Sequence, residues 1–348
     1  MDLHITRPGL VSPVRVDPTG ARGPTPGQAR GSRWTRVGPS LYRPVLDVVT
    51  AEQRIVDAAA SMPAGSAVTG WAALAWLHAR WFDGTAADGS ALPVPIALGD
   101  RHAKRRRDGV ILSEDWLFPD DVIWIDGLPI TIPVRSVTYE ARVADDEVGA
   151  ARAIEMATYD DLVSLAELNA YTSTLTSRPG KLQLEAALRV ADENVWSPME
   201  VVMRRFWQRD RDAALVCNRP VFDLAGNHLF TPDVLDVEAG VAGEYDGSVH
   251  DTGPRRGKDL DRTELTRRLG IEVATMMSGR GERRRFLHRL DGAYERAARA
   301  TEPRLWTIEQ PHWWTDTTTV DLRRALSPAE RERWLGHRRT GHLGREIA

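Results

Sequence analysis

Three acidic residues and a histidine converge on one short stretch, "PDVLDVEAGVAGEYDGSVH", as Asp233, Glu244, Asp246 and His250. Asp233 and Glu244 are eleven positions apart, and Glu238-Ala239-Gly240 between them reads as a single turn joining two antiparallel strands. The turn falls near the middle of the interval, which makes the two carboxylates cross-strand neighbours on one face. Asp246 is two residues beyond Glu244 and points to the same face. Like charges held this close raise each other's pKa, so the grouping costs stability unless something positive sits among them. An oxygen-only set of this kind suits Mg²⁺ or Mn²⁺, which take one or two carboxylates together with waters and a substrate phosphate. Such a metal activates water and neutralises charge developing on a phosphodiester oxygen.

Four further residues could complete that chemistry. Glu200 lies one turn into a predicted helix over "SPMEVVMRRFWQRD" and can reach the metal or its waters; alternatively Ser197-x-x-Glu200 is a capping box. His250 titrates near neutral pH, which suits it to move a proton at the attacking or leaving oxygen; the other reading is a surface histidine after a turn. Lys258 and Arg262, one helical turn apart, bring positive charge to the carboxylates or to a phosphate, or are simply solvated. Asp236 and Glu238 read as solvated turn residues.

The elements that must place these groups follow from pattern. Ser197 caps the helix and Pro198 opens it. "PVFDL" pairs with "HLFTPDVLD" across an Ala-Gly-Asn turn, and "GVAGEYDG" returns as a third strand. The helix "KDLDRTELTRRL" stops at Gly270, and a strand "IEVATMM" and a helix "RRRFLHRLDGAYERAARA" follow. Residues 197–300 thus form one α/β domain, and 301–348 a Trp-rich extension. Residues 137–196 are helical in pattern. Upstream, 32–136 holds two strands around Gly38-Pro39-Ser40, a helix capped at Thr50 with Gln53 at capping-box spacing, and a second helix over "SAVTGWAALAWLHARW". Short strands follow at 93–98, 110–112, 122–125 and 129–132. Residues 1–31, rich in Pro, Gly and Arg, read as a flexible arm.

The 348 residues suffice for two or three domains, and 42% apolar with 27% charged residues is ordinary for a globular chain. A net charge of −3 gives no global pull towards nucleic acid. A local one remains in "RHAKRRR", where Arg101, Lys104, Arg105, Arg106 and Arg107 crowd one loop that could grip phosphates or be a solvated hairpin tip. One cysteine, Cys217, excludes an internal disulfide and fits a reducing compartment. No stretch approaches the roughly 20 apolar residues of a membrane span, so a cytoplasmic protein without a membrane partner is expected.

On "PDVLD…GEYDG…H…KDLDR…L…LG", residues 197–300 resemble the actinobacterial branch of a family whose C-terminal domain has a restriction-endonuclease-like core, related to very-short-patch-repair endonucleases. In the wider PD-(D/E)xK superfamily, residues matching Asp233 and Glu244 bind the metal and one matching Glu200 assists. The usual Glu-x-Lys is here Glu244-Tyr245-Asp246; repair-type relatives also lack the lysine and use a histidine, which His250 would match. "SRWTRVGPSLYRP" resembles the wing of the winged-helix module in AbiEi-type antitoxins. Together these imply an α/β (α+β) multidomain chain with a partial winged-helix-like N-terminal region and a helical middle. The C-terminal restriction-endonuclease-like core would have a central mixed sheet flanked by helices. The function implied is a Mg²⁺- or Mn²⁺-dependent nuclease acting on DNA in defence or repair. The alternative is an antitoxin-like or transcriptional-regulatory DNA binder with a cognate toxin and a degenerate nuclease fold.

Overall fold

The computed structural model describes residues 3–99, 107–247, 264–301 and 303–339. Its contacts divide the chain into two units, Met1–Arg189 and Val190–Ala348. Both mix helices with open sheets, and among the described residues no helix is long and apolar enough to cross a membrane.

Unit 1 begins with a three-stranded antiparallel sheet in the order β1-β3-β2, from β1 (Val14–Arg15), β2 (Trp34–Gly38) and β3 (Leu41–Pro44). Helix α1 (Ala51–Ala59) starts where Thr50 Oγ1 accepts the Gln53 N–H at 3.2 Å. The Gln53 side chain does not complete a capping box. It clasps the backbone N–H and C=O of Val11, each at 2.9 Å, and thereby holds the N-terminal segment. Arg7 is a second anchor: it bonds Glu52, Asp126 and the Trp76 carbonyl, and its guanidinium lies 3.8 Å over the Trp76 ring. The arm expected to be flexible is therefore tied down over residues 3–31. Its prolines and glycines prevent a long regular element, but side chains and the short β1 supply the bonds such an element would have made.

The remaining strands of unit 1 are β4 (Ala67–Val68), β5 (Val94–Ala97), β6 (Val110–Ser113), β7 (Val122–Ile125) and β8 (Leu128–Thr131). They form one mixed sheet, ordered β6-β5-β4-β8-β7. The helix expected over 66–81 shortens to α2 (Gly70–Trp76), because residues 67–68 are the sheet's central strand and Gly70, at φ +56°, turns the chain between them. Helix α3 (Pro133–Val143) packs on α2, on α4 (Glu147–Tyr159) and on α5 (Leu165–Thr174); α6 (Lys181–Val190) closes the unit. Ile55, Trp76, Ile96, Ile130 and Ile154 are fully or almost fully buried in this unit.

Unit 2 opens with α7 (Pro198–Asp210) and β9 (Leu215–Cys217). A hairpin of β10 (Val221–Asp223) and β11 (His228–Phe230) follows, then β12 (Val234–Asp236) and β13 (Val241–Asp246). A helix described over 264–268 (α8) leads to β14 (Glu272–Met277) and α9 (Glu282–Ala297). The main sheet runs β14-β13-β12-β9, with β13 and β14 parallel and the other pairs antiparallel. The expected three-strand meander needs two corrections. Strand β9 joins as the outer strand, and "HLFTPDVLD" is two strands in two sheets. Pro232, which has no N–H to donate, breaks the segment. Strand β11 stays with β10 and β15 (Trp306–Thr307), and β12 crosses into the main sheet. Helices α10 (Val320–Arg324) and α11 (Pro328–Arg339) end the described chain.

The two faces of the main sheet are covered differently. Val234, Val241, Ala274 and Met276 pack with Met203 and Trp207 of α7 and with Phe286 and Leu290 of α9. Leu235 and Ala242 face the other way, into a cluster with Val221, Phe230, Ile271 and Trp306. Gly243 lies under α7, where a Cβ would stand 2.8 Å from Trp207 Cζ3. Trp207 is fully buried and cannot yield cheaply. Gly243→Ala should therefore lower stability by about 1–3 kcal/mol in urea unfolding, and an unchanged midpoint would show that α7 is free to lift.

On α3 the Glu140 carboxylate accepts the Trp71 N–H at 2.7 Å. Burial pushes this carboxyl up to about 7 from an ordinary 4.5. The folded chain then keeps a proton that the unfolded chain has already released, so this group makes stability fall as pH rises through that window. Glu140→Gln should flatten the fall in urea unfolding between pH 4.5 and 7. Parallel slopes for the two proteins would exclude Glu140 as its source.

Candidate functional site

The register of the main sheet decides which side chains meet. Val234 stands opposite Cys217 on β9 and Gly243 on β13, and Glu244 stands beside Thr275 on β14. One residue further along both antiparallel ladders, Asp233 falls between Asn218 and Glu244. Two bonds agree with that placement: the Asn218 N–H donates to the Asp233 carbonyl at 3.0 Å, and the Tyr245 N–H donates to Asp233 Oδ2 at 2.7 Å. Asn218, Asp233, Glu244 and Thr275 thus form a row across the end of the sheet. Strand alternation puts Asp233, Glu244 and Asp246 on the face of Leu235 and Ala242, away from α7 and α9.

The shared face agrees with the spacing, but the three-carboxylate centre does not assemble. Among the described residues no three His, Cys, Asp or Glu side chains are grouped to hold a metal. The reason is distance along the strand. Asp246 is two residues, roughly 6.8 Å, beyond Glu244, so it stands across from position 231 rather than Asp233. Asp233 is buried, Glu244 half-buried and Asp246 exposed. A pair of carboxylates on adjacent strands remains, with the third further out.

Glu200 has a different post. It is buried, and its Oε2 accepts the Trp196 N–H at 2.9 Å and Asn218 Nδ2–H at 2.8 Å, while Ser197 Oγ accepts the Glu200 N–H at 3.3 Å. This resembles the expected capping box, with the return bond displaced by one residue to Trp196. Through Asn218 the same carboxylate ties the start of α7 to the row at the sheet end. Asn218 is left-handed at φ +45° and donates a second bond to the Asn194 carbonyl at 2.8 Å. Its Oδ1 is buried and has no hydrogen-bond partner among the described residues. Sequence reasoning missed Asn194 and Asn218; the only signal was a polar residue closing the apolar run "LVC" just before Arg219-Pro220.

Asp236, expected to be solvated, is buried on the opposite face. Its Oδ2 accepts the Tyr294 hydroxyl at 2.6 Å and its Oδ1 the Ala239 N–H at 3.0 Å; Trp207 Nε1–H donates to the Tyr294 oxygen at 3.0 Å. Burial, and then the bond to Asp236, push the Tyr294 hydroxyl far above its ordinary range, so it stays a donor. The described cation bonded to the row is Arg289, which donates to the Thr275 carbonyl at 2.8 Å and pairs with buried Glu282.

No family model matches the chain, and no curated protein or solved structure matches it. The site's donors are the hard oxygens of two carboxylates, Asp233 and Glu244, while the Asn218 side chain is turned to Glu200 and Asn194. Mg²⁺ and Mn²⁺ accept such a set when water completes the coordination. His250, Lys258 and Arg262 lie outside the described residues, as do Arg101, Lys104, Arg105 and Arg106. Arg107 is described, and it does not face outward as a phosphate grip. It bonds Ser61 Oγ and the Asp57 carbonyl at the end of α1, and burial lowers its pKa.

Glu200 can be tested as a ligand against its role as an anchor. Glu200→Ala strips acceptors from the Trp196 N–H and the Asn218 amide, and should cost about 1–3 kcal/mol in urea unfolding. Mn²⁺ affinity should stay within threefold, roughly, because a change below 0.7 kcal/mol leaves the coordination intact. A tenfold loss of metal affinity in a still-folded variant would make Glu200 a ligand.

Proposed function

We propose that unit 2 is a restriction-endonuclease-like module that hydrolyses DNA phosphodiesters with Mg²⁺ or Mn²⁺ held by Asp233 and Glu244. The observation that carries this reading is the register that sets Asp233 opposite Glu244 at one end of a mixed sheet. When bound, the metal would activate a water and offset charge on the phosphodiester oxygen. The protein's own part is positional. The Tyr245 N–H fixes Asp233 Oδ2, the ladder fixes the Glu244 backbone, and Asp246 lies further out on the same face, towards an approaching substrate. His250, in this reading, moves the proton at the attacking or leaving oxygen, the part that the absent Glu-x-Lys lysine does not fill.

A second reading has one observation in its favour. Glu200 is engaged by Trp196 and Asn218, and Asp246 stands apart from the pair, so the acidic corner is leaner than the resemblance implies. That favours a DNA-binding protein, antitoxin-like or regulatory, whose nuclease fold serves as scaffold.

The variant Asp233→Ala/Glu244→Ala separates the two. On the nuclease reading, Mn²⁺-dependent nicking of supercoiled DNA falls to background, calorimetric Mn²⁺ binding disappears, and DNA affinity in metal-free buffer stays within about twofold, as for groups that touch metal rather than phosphate. Equal nicking by both proteins would reject it, and so would a wild type that binds no Mn²⁺ at millimolar metal.

A further inference from the structure

Unit 1 contains a cavity of about 610 Å³ between the tied N-terminal segment and the layer formed by β3 and α1. Its volume falls within the range of small-molecule sites, roughly 300–1,000 Å³. The floor is apolar: Leu3, Val14, Leu41, Val56 and Ala60 line it, and Val56 and Leu41 are themselves buried in the unit. Arg15 and Arg22 stand at the same cavity, both exposed, and neither guanidinium has a partner among the described residues. This sets them apart from Arg7, Arg43 and Arg107, which are bound to carboxylates or carbonyls of the unit.

Among the described residues the one carboxylate lining the cavity is Asp17, and its acceptor sites are occupied. Oδ1 takes the Thr19 N–H at 2.9 Å, and Oδ2 takes the Ala21 N–H at 3.0 Å and the Arg22 N–H at 2.9 Å. The bonds from Arg22 and Thr19 hold its carboxyl below the usual range, so it carries its charge. It shapes the turn that presents Arg22 instead of pairing with a guanidinium. Among the described lining residues, two positive charges and one negative leave a single positive charge beside an apolar floor.

We propose that this cavity binds a small amphipathic monoanion, with an apolar body on the Leu3–Val56 floor and a carboxylate, sulfonate or phosphate-type head held by Arg15 and Arg22. A guanidinium presents its N–H donors as a fork that matches such heads with two parallel bonds. Placing the body against half-buried Leu3, Val14 and Ala60 removes apolar surface from water on both partners. Neither contribution needs unit 2, so the proposal stands independently of the nuclease reading.

The test uses the full chain and a fluorescent probe, 1-anilinonaphthalene-8-sulfonate, beside its neutral counterpart N-phenyl-1-naphthylamine. The sulfonate should bind saturably, with decanoate displacing it and salt weakening it. In Arg15→Gln/Arg22→Gln its affinity should fall about tenfold or more, the loss expected for charge-assisted bonds, while the neutral probe is unaffected. Both arginines are exposed and without side-chain partners among the described residues, so the variant should melt at the wild-type temperature. The proposal is overturned if the sulfonate binds wild type and variant equally. It is also overturned if the neutral probe binds wild type as tightly as the sulfonate, or if no saturable binding occurs below millimolar probe.

Discussion

The pairing of β12 with β13 is the constraint on which unit 2 depends, and Gly243 is where it is enforced. Side chains alternate across a sheet with a period of two, so a slip of one residue would carry Glu244 under α7 and put Gly243 on the other face. That arrangement is blocked because the space above Gly243 belongs to the Trp207 ring, with room for a hydrogen and little more. A glycine that admits an indole thus fixes which face receives the carboxylates. The strand neighbours agree with it: Val234 and Val241 fill the α7–α9 side, while Leu235 and Ala242 fill the other. Packing on one face determines the charge pattern on its opposite.

The same two strands handle acidic residues in two ways, and the difference lies in the surroundings. Asp236 is enclosed by Tyr294, Trp207 and the Ala239 N–H, and every bond it makes is internal to the fold. Asp233, three residues earlier and on the opposite face, accepts the Tyr245 N–H among its bonds and sits level with Glu244 at the strand end. Burying a carboxylate is tolerated only with such partners. Asp236 and its tyrosine behave as a brace between β12 and α9, whereas Asp233 is placed where a second carboxylate faces it. Glu200 is a second brace, joining α7 to β9 through Asn218. The row therefore lies at the end of a sheet whose other face is braced to both α7 and α9, which is the support a precisely placed site needs.

Much of this arrangement was legible in the sequence, and the reasons differ by element. The opposition of Asp233 and Glu244 followed from spacing alone, because positions across an antiparallel turn are paired symmetrically about its centre. Helix starts at Thr50 and Ser197 followed from cap chemistry. Strand β9 was not legible: three residues between "DAA" and Asn218 give too short a run for alternation to register. Nor was the split of "HLFTPDVLD", although Pro232 was the available signal. The destinations of Glu200 and Asp236 depend on Asn218 and Tyr294, which are distant in sequence and brought near only by the fold. The outward step of Asp246 shows a limit of facial reasoning. Sharing a face is a matter of parity, but sharing a metal also requires the same level along the strand.

Arginine presents the same limit in another form. "RHAKRRR" and the Arg-rich N-terminal stretch look equally basic as strings, yet the arginines of unit 1 fall into distinct groups once their partners are known. Arg7 stacks on Trp76 and bonds Glu52 and Asp126; Arg43 pairs with Asp57; Arg142 pairs with Asp115. Arg107, at the end of the most basic run, is turned inward to close α1. Such groups hold the unit together; Arg7, Arg43 and Arg142 are compensated by carboxylates where they stand, and the donors of Arg107 are spent on neutral oxygens. Arg15 and Arg22 differ because Asp17, the acid nearest in sequence, already accepts the backbone N–H groups of its own turn. The turn consumes the carboxylate's hydrogen-bonding capacity and leaves the guanidinium groups without a partner among the described residues. In a chain with more acidic than basic residues, an unmatched cation is set by local bonding, and the count of charges does not locate it.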